Sequence, residues 1–519
     1  MNRTIQINRV LLGLVSALLA LVPVISNAGP TEHVRVNIVF NQGGDAGGRV
    51  ALARAGGRIK LELNEVRAVS AVVPRRALAA LRRSKHIRFI EFDTMQHTMA
   101  NADPSGPPYE LGQLVPYGIK MVEADLLADT FASNRRICII DSGIDIGHPD
   151  HAGNMLSGEN LTTSGDWFTD ESDHGTHVAG TVAAVNQPNV GVVGVLPNKQ
   201  ISLYIAKVFD SSGSTASSTV AKAMLRCWRN GSNVISMSLG GSSPSRLQQI
   251  VARFVSNRNV LLVAAAGNGG SSAISYPAGF PEVVSVAAID QAKARASFSQ
   301  FNADVEWAAP GVDVLSTVPV GTGLGGTLVV DATNYQVLPM DGSPLLNASS
   351  SLYDFGLGDV IDGGAAGKVC LIARGAIAFS DKVLNCQNSG GVGAVIYNNV
   401  PGPLNGTLGG VVTTIPSVGA DGGDAAGLLA QLGDQATVTV GASDYASFNG
   451  TSMATPHAAA VAALVWSYFP ACTASEIRDA ISSSAEDLGA AGRDVEYGFG
   501  LVLAEGAYDQ IVALGCGGP

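Results

Sequence analysis

At 519 residues the chain is too long for one ordinary hydrophobic core and must divide into several folded units. Charged residues make up only 14%, Gly numbers 62 and mean hydropathy is +0.24, a small-residue, turn-rich profile that excludes a disordered or coiled-coil chain. The formal charge of −11 argues against a nucleic-acid partner, which calls for a basic surface.

Arg3 and Arg9 precede an apolar run from Val10 to Ile25, and small residues Ser26 and Ala28 stand before Gly29. This reads as an export signal over 1–28, cut after Ala28. A retained membrane anchor needs about 20 apolar residues, more than this run holds. The mature protein is therefore expected to be secreted and free of the membrane.

The stretch 29–111 follows as a small α+β unit, with strand-like runs at His33–Phe40, Ala68–Val73 and 87–93 and a helix through 75–84. Residues 29 to 110 carry ten Arg and two Lys against eight Asp plus Glu, which would allow docking by charge on a more acidic body, although solvated charge is the commoner explanation of such an imbalance. NADPSGPP, within 100–108, is an exposed linker.

From 112 to 319 short apolar runs alternate with helical stretches, the pattern of a parallel sheet covered on both faces. Ligands of such sheets gather at the C-terminal ends of the strands. Residues 320–441 are Gly-rich with scattered β-like pieces and read as an inserted β-rich domain. The first pattern resumes over 442–519 with a buried helix through 448–466, then a helix over 472–485 with Thr473 and Glu476 at capping-box spacing.

Six cysteines in an exported chain can all pair, in fifteen ways. Cys370 and Cys386 share one local segment, Cys472 and Cys516 flank the C-terminal region, and Cys138 and Cys227 remain. Buried free thiols are the alternative.

Three segments place a reactive side chain at the edge of a regular element. Asp141 ends the apolar run Ile137–Ile140, His174 opens a helix in DHGTHVAG, and Ser452 opens another in NGTSMATPH. A hydroxyl, an imidazole base and a carboxylate that holds the imidazole are the parts of an acyl-transfer site. Singly, each has an ordinary explanation as a turn former, a surface group or a helix cap.

Together DSGID, HGTHVAG and GTSMATPH, in the order Asp, His, Ser, resemble the signature segments of the subtilisin-like serine proteases. The resemblance covers about 113–319 and 442–512 and implies an α/β fold, a parallel sheet flanked by helices. It makes Asp141, His174 and Ser452 the catalytic triad and the Asn268 side chain an oxyanion donor. His177 then only packs along its helix, while Asp173, where relatives often carry a neutral residue, is expected to raise the His174 pKa.

Polypeptide substrate would lie extended between Ser212, Gly213 and Ser214 on one side and Ser238, Leu239 and Gly240 on the other. Ala265, Ala266 and Gly267, facing Ser275, Tyr276 and Pro277, would wall a neutral pocket for large apolar or aromatic residues.

The family likeness also implies structural calcium, with Gln113, Asp150 and the loop amides Asn186 and Asn189 as candidate ligands. The 29–111 unit resembles an inhibitor-type propeptide, cut near Tyr109–Gly112 and retained briefly as an inhibitor. GKVCLIARG and FSDKVLNCQNSGGVGAVIYNN resemble a protease-associated domain, and the pair Cys138–Cys227 resembles a bridge of proteinase K-like members, offset along its elements. The expectation is a self-processing, monomeric zymogen. A catalytically dead binding module need not keep all four site residues, and an α/β-hydrolase would want G-x-S-x-G and the order Ser, Asp, His.

Overall fold

A computed structural model of the chain describes residues 33–98, 114–187, 191–375 and 377–516, apart from Pro401, Pro403 and Asn405. The expected export signal and the linker lie outside the described residues. No helix among the described residues is long and apolar enough to cross a membrane.

The N-terminal unit is a four-stranded antiparallel sheet. β1 (His33–Phe40) lies between β3 (Ala68–Pro74) and β4 (Ile87–Phe92), with β2 (Arg58–Leu63) at the edge beyond β3. Residues alternate across the strands. Val36, Ile38 and Phe40 face α1 (Asp45–Arg54) and α2 (Leu78–Arg82), while Val39, Leu63 and Ala68 join a core of the following domain. The sequence patterns miss α1, whose two glycines and weak apolar face hide it, and β2, the short alternating edge run RIKLEL, most of which is exposed. A short strand, β5 (Met95–Thr98), leaves the unit.

The body begins with α3 (Tyr117–Met121), β6 (Arg136–Asp141), β7 (Met155–Asn160), α4 (His174–Ala183), β8 (Ser202–Lys207), β9 (Ser214–Ala216) and α5 (Ser217–Arg229). It continues with β10 (Val234–Met237), β11 (Leu239–Gly240), α6 (Arg246–Ser256), β12 (Leu261–Ala265), β13 (Val283–Ile289), β14 (Val305–Pro310) and β15 (Val314–Thr317). Seven strands form a parallel sheet in the order β14-β13-β12-β10-β6-β8-β7. Its two faces follow the strand period. Ile137, Ile139 and Leu203 face α4, whereas Cys138, Ile140 and Tyr204 face α5 and α6.

The inserted region carries β16 (Gly323–Val330), β17 (Thr333–Tyr335), β18 (Val337–Pro339), β19 (Asn347–Asp354), β20 (Val369–Ala373), α7 (Phe379–Asn388), β21 (Gly393–Tyr397), β22 (Ser417–Ala420), α8 (Ala425–Ala430) and β23 (Gln435–Ser443). These strands form one eight-stranded mixed sheet with cores of its own. The chain returns to the body through β24 (Tyr445–Phe448), α9 (Thr451–Tyr468), α10 (Ala474–Ser484) and α11 (Ala504–Leu514). β24 pairs with β15, Thr317 opposite Tyr445, and β23 with β16, Gly323 opposite Ser443. The strands that enter and leave the insertion therefore run side by side.

α9 is buried almost throughout, as expected of an apolar helix crossing a core. Thr473 and Glu476 form the capping box at the start of α10. Disulfides join Cys138 to Cys227, Cys370 to Cys386 and Cys472 to Cys516.

Candidate active site

The C-terminal edge of the parallel sheet gathers the candidate residues. Asp141 is the last residue of β6 and wholly buried. Its Oδ1 accepts from the backbone N–H of Ser142 at 2.8 Å and lies 2.7 Å from His174 Nδ1. His174 is the first residue of α4, reached through Asp173 in the left-handed region at φ +64°. Burial acts to lower the His174 pKa, but the charge and hydrogen bond of Asp141, with a further contribution from the Asp170 charge, outweigh it and leave it raised. The sequence expectation that Asp173 supplies this push is thereby corrected. The carboxylates that raise His174 are Asp141 and Asp170, while burial raises Asp173 itself.

Ser452 stands in the first turn of α9. Its Oγ donates to the Ser238 carbonyl at 3.1 Å, and Ser238 Oγ donates back to the Ser452 carbonyl at 2.7 Å. His174 Nε2 is buried with no hydrogen-bond partner. The Asn268 carboxamide is oriented by Thr451, whose N–H and Oγ1 donate to its Oδ1 at 2.9 and 2.8 Å. His177 has the bland role expected of it. Its Nε2 faces the carbonyls of Val314 and Ala446, its ring stacks on Phe448 at 4.3 Å, and burial brings its pKa down to about 3.

The expected substrate strands are present, and part of the chain already fills the space between them. β5 pairs antiparallel with β9 on one side, His97 opposite Ser214, and with β11 on the other, His97 opposite Gly240 and Thr98 opposite Leu239. Gly213, at φ +62°, turns the chain into β9. The residues expected to wall the pocket are largely buried. Ala266 is buried, Gly267 N–H donates to Thr451 Oγ1 at 3.2 Å, and Ser275 is buried with its Oγ unpartnered. Gly267 has φ +114°, a backbone conformation that favours glycine, and a Cβ there would push the Gln300 amide aside.

Two stretches of the chain, 132–343 and 391–500, match the subtilase family, and 326–428 match the PA domain. The chain belongs to the subtilase family. It is 37% identical over 279 residues to subtilisin amylosacchariticus of Bacillus subtilis subsp. amylosacchariticus, covering 52% of this chain and 68% of that protein. To subtilisin DY of Bacillus licheniformis it is 42% identical over 248 residues, 46% of this chain and 88% of that one. Its fold is similar to that of the psychrophilic subtilisin-like protease Apa1 from Pseudoalteromonas sp. AS-11. The TM-score is 0.70 at 38% identity, over 78% of this chain and all of the other. This subtilase is thus a serine endopeptidase with a PA domain set into it.

The candidate calcium residues divide. Asp150 is buried, its Oδ2 accepts from the Val192 N–H at 2.9 Å, and its Oδ1 has no partner. Burial pushes its pKa up to about 6 against the hydrogen bonds from Val192 and Tyr445. Leu114 N–H donates to the Gly191 carbonyl, next to the Val192 that bonds Asp150. Asn186 is exposed and donates to Asn198. Gln113 and Asn189 lie outside the described residues. Among the described residues no three His, Cys, Asp or Glu side chains converge as a metal set.

Sequence reasoning missed several residues of this subtilase site. Tyr445 bonds Asp150, Thr451 orients Asn268, and Ser142 and Asp170 bind the first turn of α4. Ser142 and Thr451 could have been suspected, since they lie within the words DSGID and GTSMATPH, and so could Asp170, four residues before His174.

Proposed function

We propose that this subtilase is a secreted, self-processing endopeptidase that works through an acyl-enzyme on Ser452, with His174 as base, Asp141 as its partner and Asn268 as oxyanion donor. The observation that carries this reading is the buried 2.7 Å contact of His174 Nδ1 with Asp141 on the sheet edge to which Ser452 is tied through Ser238. With Nδ1 protonated toward Asp141, Nε2 is free to accept a proton. When Ser452 Oγ turns from the Ser238 carbonyl to Nε2, it attacks the substrate carbonyl carbon as its proton passes to His174. The imidazolium, balanced by Asp141, then protonates the leaving amine. Water then attacks the acyl carbon with His174 again as base, the bond to Ser452 Oγ breaks, and His174 returns the proton to Oγ as the acid is released. The Asn268 amide and the Ser452 backbone N–H would meet the oxyanion.

The N-terminal unit acts as propeptide and transient inhibitor. β5 lying in the cleft as a third strand supports this, as does the seating of the unit on the body. Its docking does not run as an attraction of a basic unit to an acidic body. Glu91 accepts from the N–H groups of Arg246 and Leu247 at the start of α6, and Asp93 from Ser217 Oγ and Ser218 N–H at the start of α5. Carboxylates sit well on helix N-termini. In the ion pair between Arg229 and Glu65, the body supplies the cation.

β5 ends with Thr98 opposite Leu239 and is directed toward Ser238, which bonds Ser452, and this favours a first self-cleavage close behind Thr98. The expected cut near Tyr109–Gly112, outside the described residues, would then be a later trimming. The neutral pocket beside Ala266, Gly267 and Ser275 favours large apolar or aromatic residues before the scissile bond. Calcium fits the buried, half-unpartnered Asp150, with Gln113 and loop amides completing a hard-cation shell that steadies the fold. The enzyme acts as a monomer on polypeptides outside the cell.

Labelling the enzyme with a serine-directed phosphonate tests the reading. The label is expected on Ser452, and Ser452→Ala is expected to leave the precursor uncut; a normally processed Ser452→Ala protein would overturn it.

A further inference from the structure

The helix that carries His174 is not capped by its own residue, since Asp173 makes no side-chain hydrogen bond to the first turn. The turn's donors are met from elsewhere. Gly175 N–H donates to Ser142 Oγ at 2.8 Å, and Thr176 donates to Asp170 Oδ2 through both its N–H and its Oγ1, at 2.8 and 2.7 Å. Asp170 Oδ1 accepts from Ser142 Oγ at 2.8 Å and from Ser172 N–H at 3.1 Å. Ser142 in turn gives its N–H to Asp141 Oδ1. One buried carboxylate therefore fastens the end of β6 to the start of α4, the strand bearing the acid to the helix bearing the base.

We propose that Asp170 is a positioning residue for the acyl-transfer chemistry, fixing through Ser142 and the first turn of α4 the angle at which His174 meets Asp141 and Ser452. The proposal rests on the proposed triad. Without Asp170, Ser142 Oγ loses its 2.8 Å acceptor and can turn toward Asp141 Oδ1, already 3.3 Å away, where it competes with His174 for that oxygen. The first turn also loses a charge-bearing cap, which favours a shift of His174 along or away from the strand end.

The carboxylate also acts on His174 through space. The charged and titratable groups around His174 are few. β6 brings Asp141, the preceding loop brings Asp170, Glu171 and Asp173, and β8 brings Lys207, which is paired with Glu171. α4 itself adds His177 and α9 adds His457, both held neutral by burial, while β15 carries no ionisable side chain. Neutralising Asp170 thus removes one of the two anions that raise His174.

The test is steady-state kinetics of Asp170→Asn and Ser142→Ala in the full chain, purified after processing, on a small peptide substrate. Asp170→Asn is expected to lower kcat by roughly 10- to 100-fold, the scale of a misplaced catalytic group, with KM little changed. The acid limb of kcat/KM should move to lower pH. Ser142→Ala, which leaves both carboxylates in place, should lower kcat without moving that limb. If Asp170→Asn does not accumulate, Ser142→Ala alone decides. Wild-type kcat in Ser142→Ala, or an unmoved acid limb in Asp170→Asn, would overturn the proposal. Both results, obtained in an enzyme that Ser452→Ala still silences, would leave the triad reading untouched.

Discussion

The hold of the N-terminal unit on the body turns on Glu91. Its carboxylate takes the N–H groups of Arg246 and Leu247 at 2.8 and 2.9 Å and Ser245 Oγ at 2.7 Å, all at the start of α6. Release of the unit leaves those donors to water. A carboxylate at a partly exposed helix N-terminus contributes about 1–2 kcal/mol. Glu91→Ala is therefore expected to weaken inhibition by the separately produced segment 29–98 by roughly 5- to 30-fold. Glu91→Gln keeps the shape and loses the charge, and since charge-assisted bonds are about twice as strong as neutral ones, it should lose about half of that free energy. The assay is progress-curve inhibition of the mature enzyme at low and high salt, with the Glu91→Ala effect shrinking as salt screens the helix end. A change of less than about twofold at low salt would refute the argument, because it falls below the smallest of these contributions.

Intact mass measurement during maturation should find a first product beginning just after Thr98, detected before any product that begins near Gln113. Calcium binding to the folded state alone stabilises by mass action, so chelation and Asp150→Ala should each shorten the half-life on heating, and chelation should add nothing to Asp150→Ala. Because His174 must be neutral to accept a proton and its pKa is raised, activity should fall as pH drops through a value above the ordinary histidine range of about 6.5. A pH–rate profile with its acid limb below that value counts against the Asp141 pairing. Replacing 321–442 by a short Gly/Ser turn between the paired strands β15 and β24 should spare hydrolysis of small peptides and change rates on folded proteins. Equal changes on both substrate classes would make the insertion a stabilising element only.

Much of this protein is written in short words of sequence. Strand and helix periods over 136–289 depend on neighbouring residues and could be read directly, as could the capping box of Thr473 and Glu476. DSGID, HGTHVAG and GTSMATPH each set one reactive side chain at the edge of a local element, so Asp141, His174 and Ser452 were legible before any contact between them was known. The joins are another matter. Glu91 meets α6 more than 150 positions away, Asp150 meets Tyr445 across nearly 300, and Ser142 meets Gly175 across 33. Such pairings have no period and no fixed spacing. They arise because a parallel sheet brings strand ends from distant parts of the chain to one edge, leaving buried donors and acceptors that must find partners there. For the same reason the sequence marked the insertion as β-rich, but only the tertiary structure decided that its first and last strands would pair with each other, next to the paired strands β15 and β24.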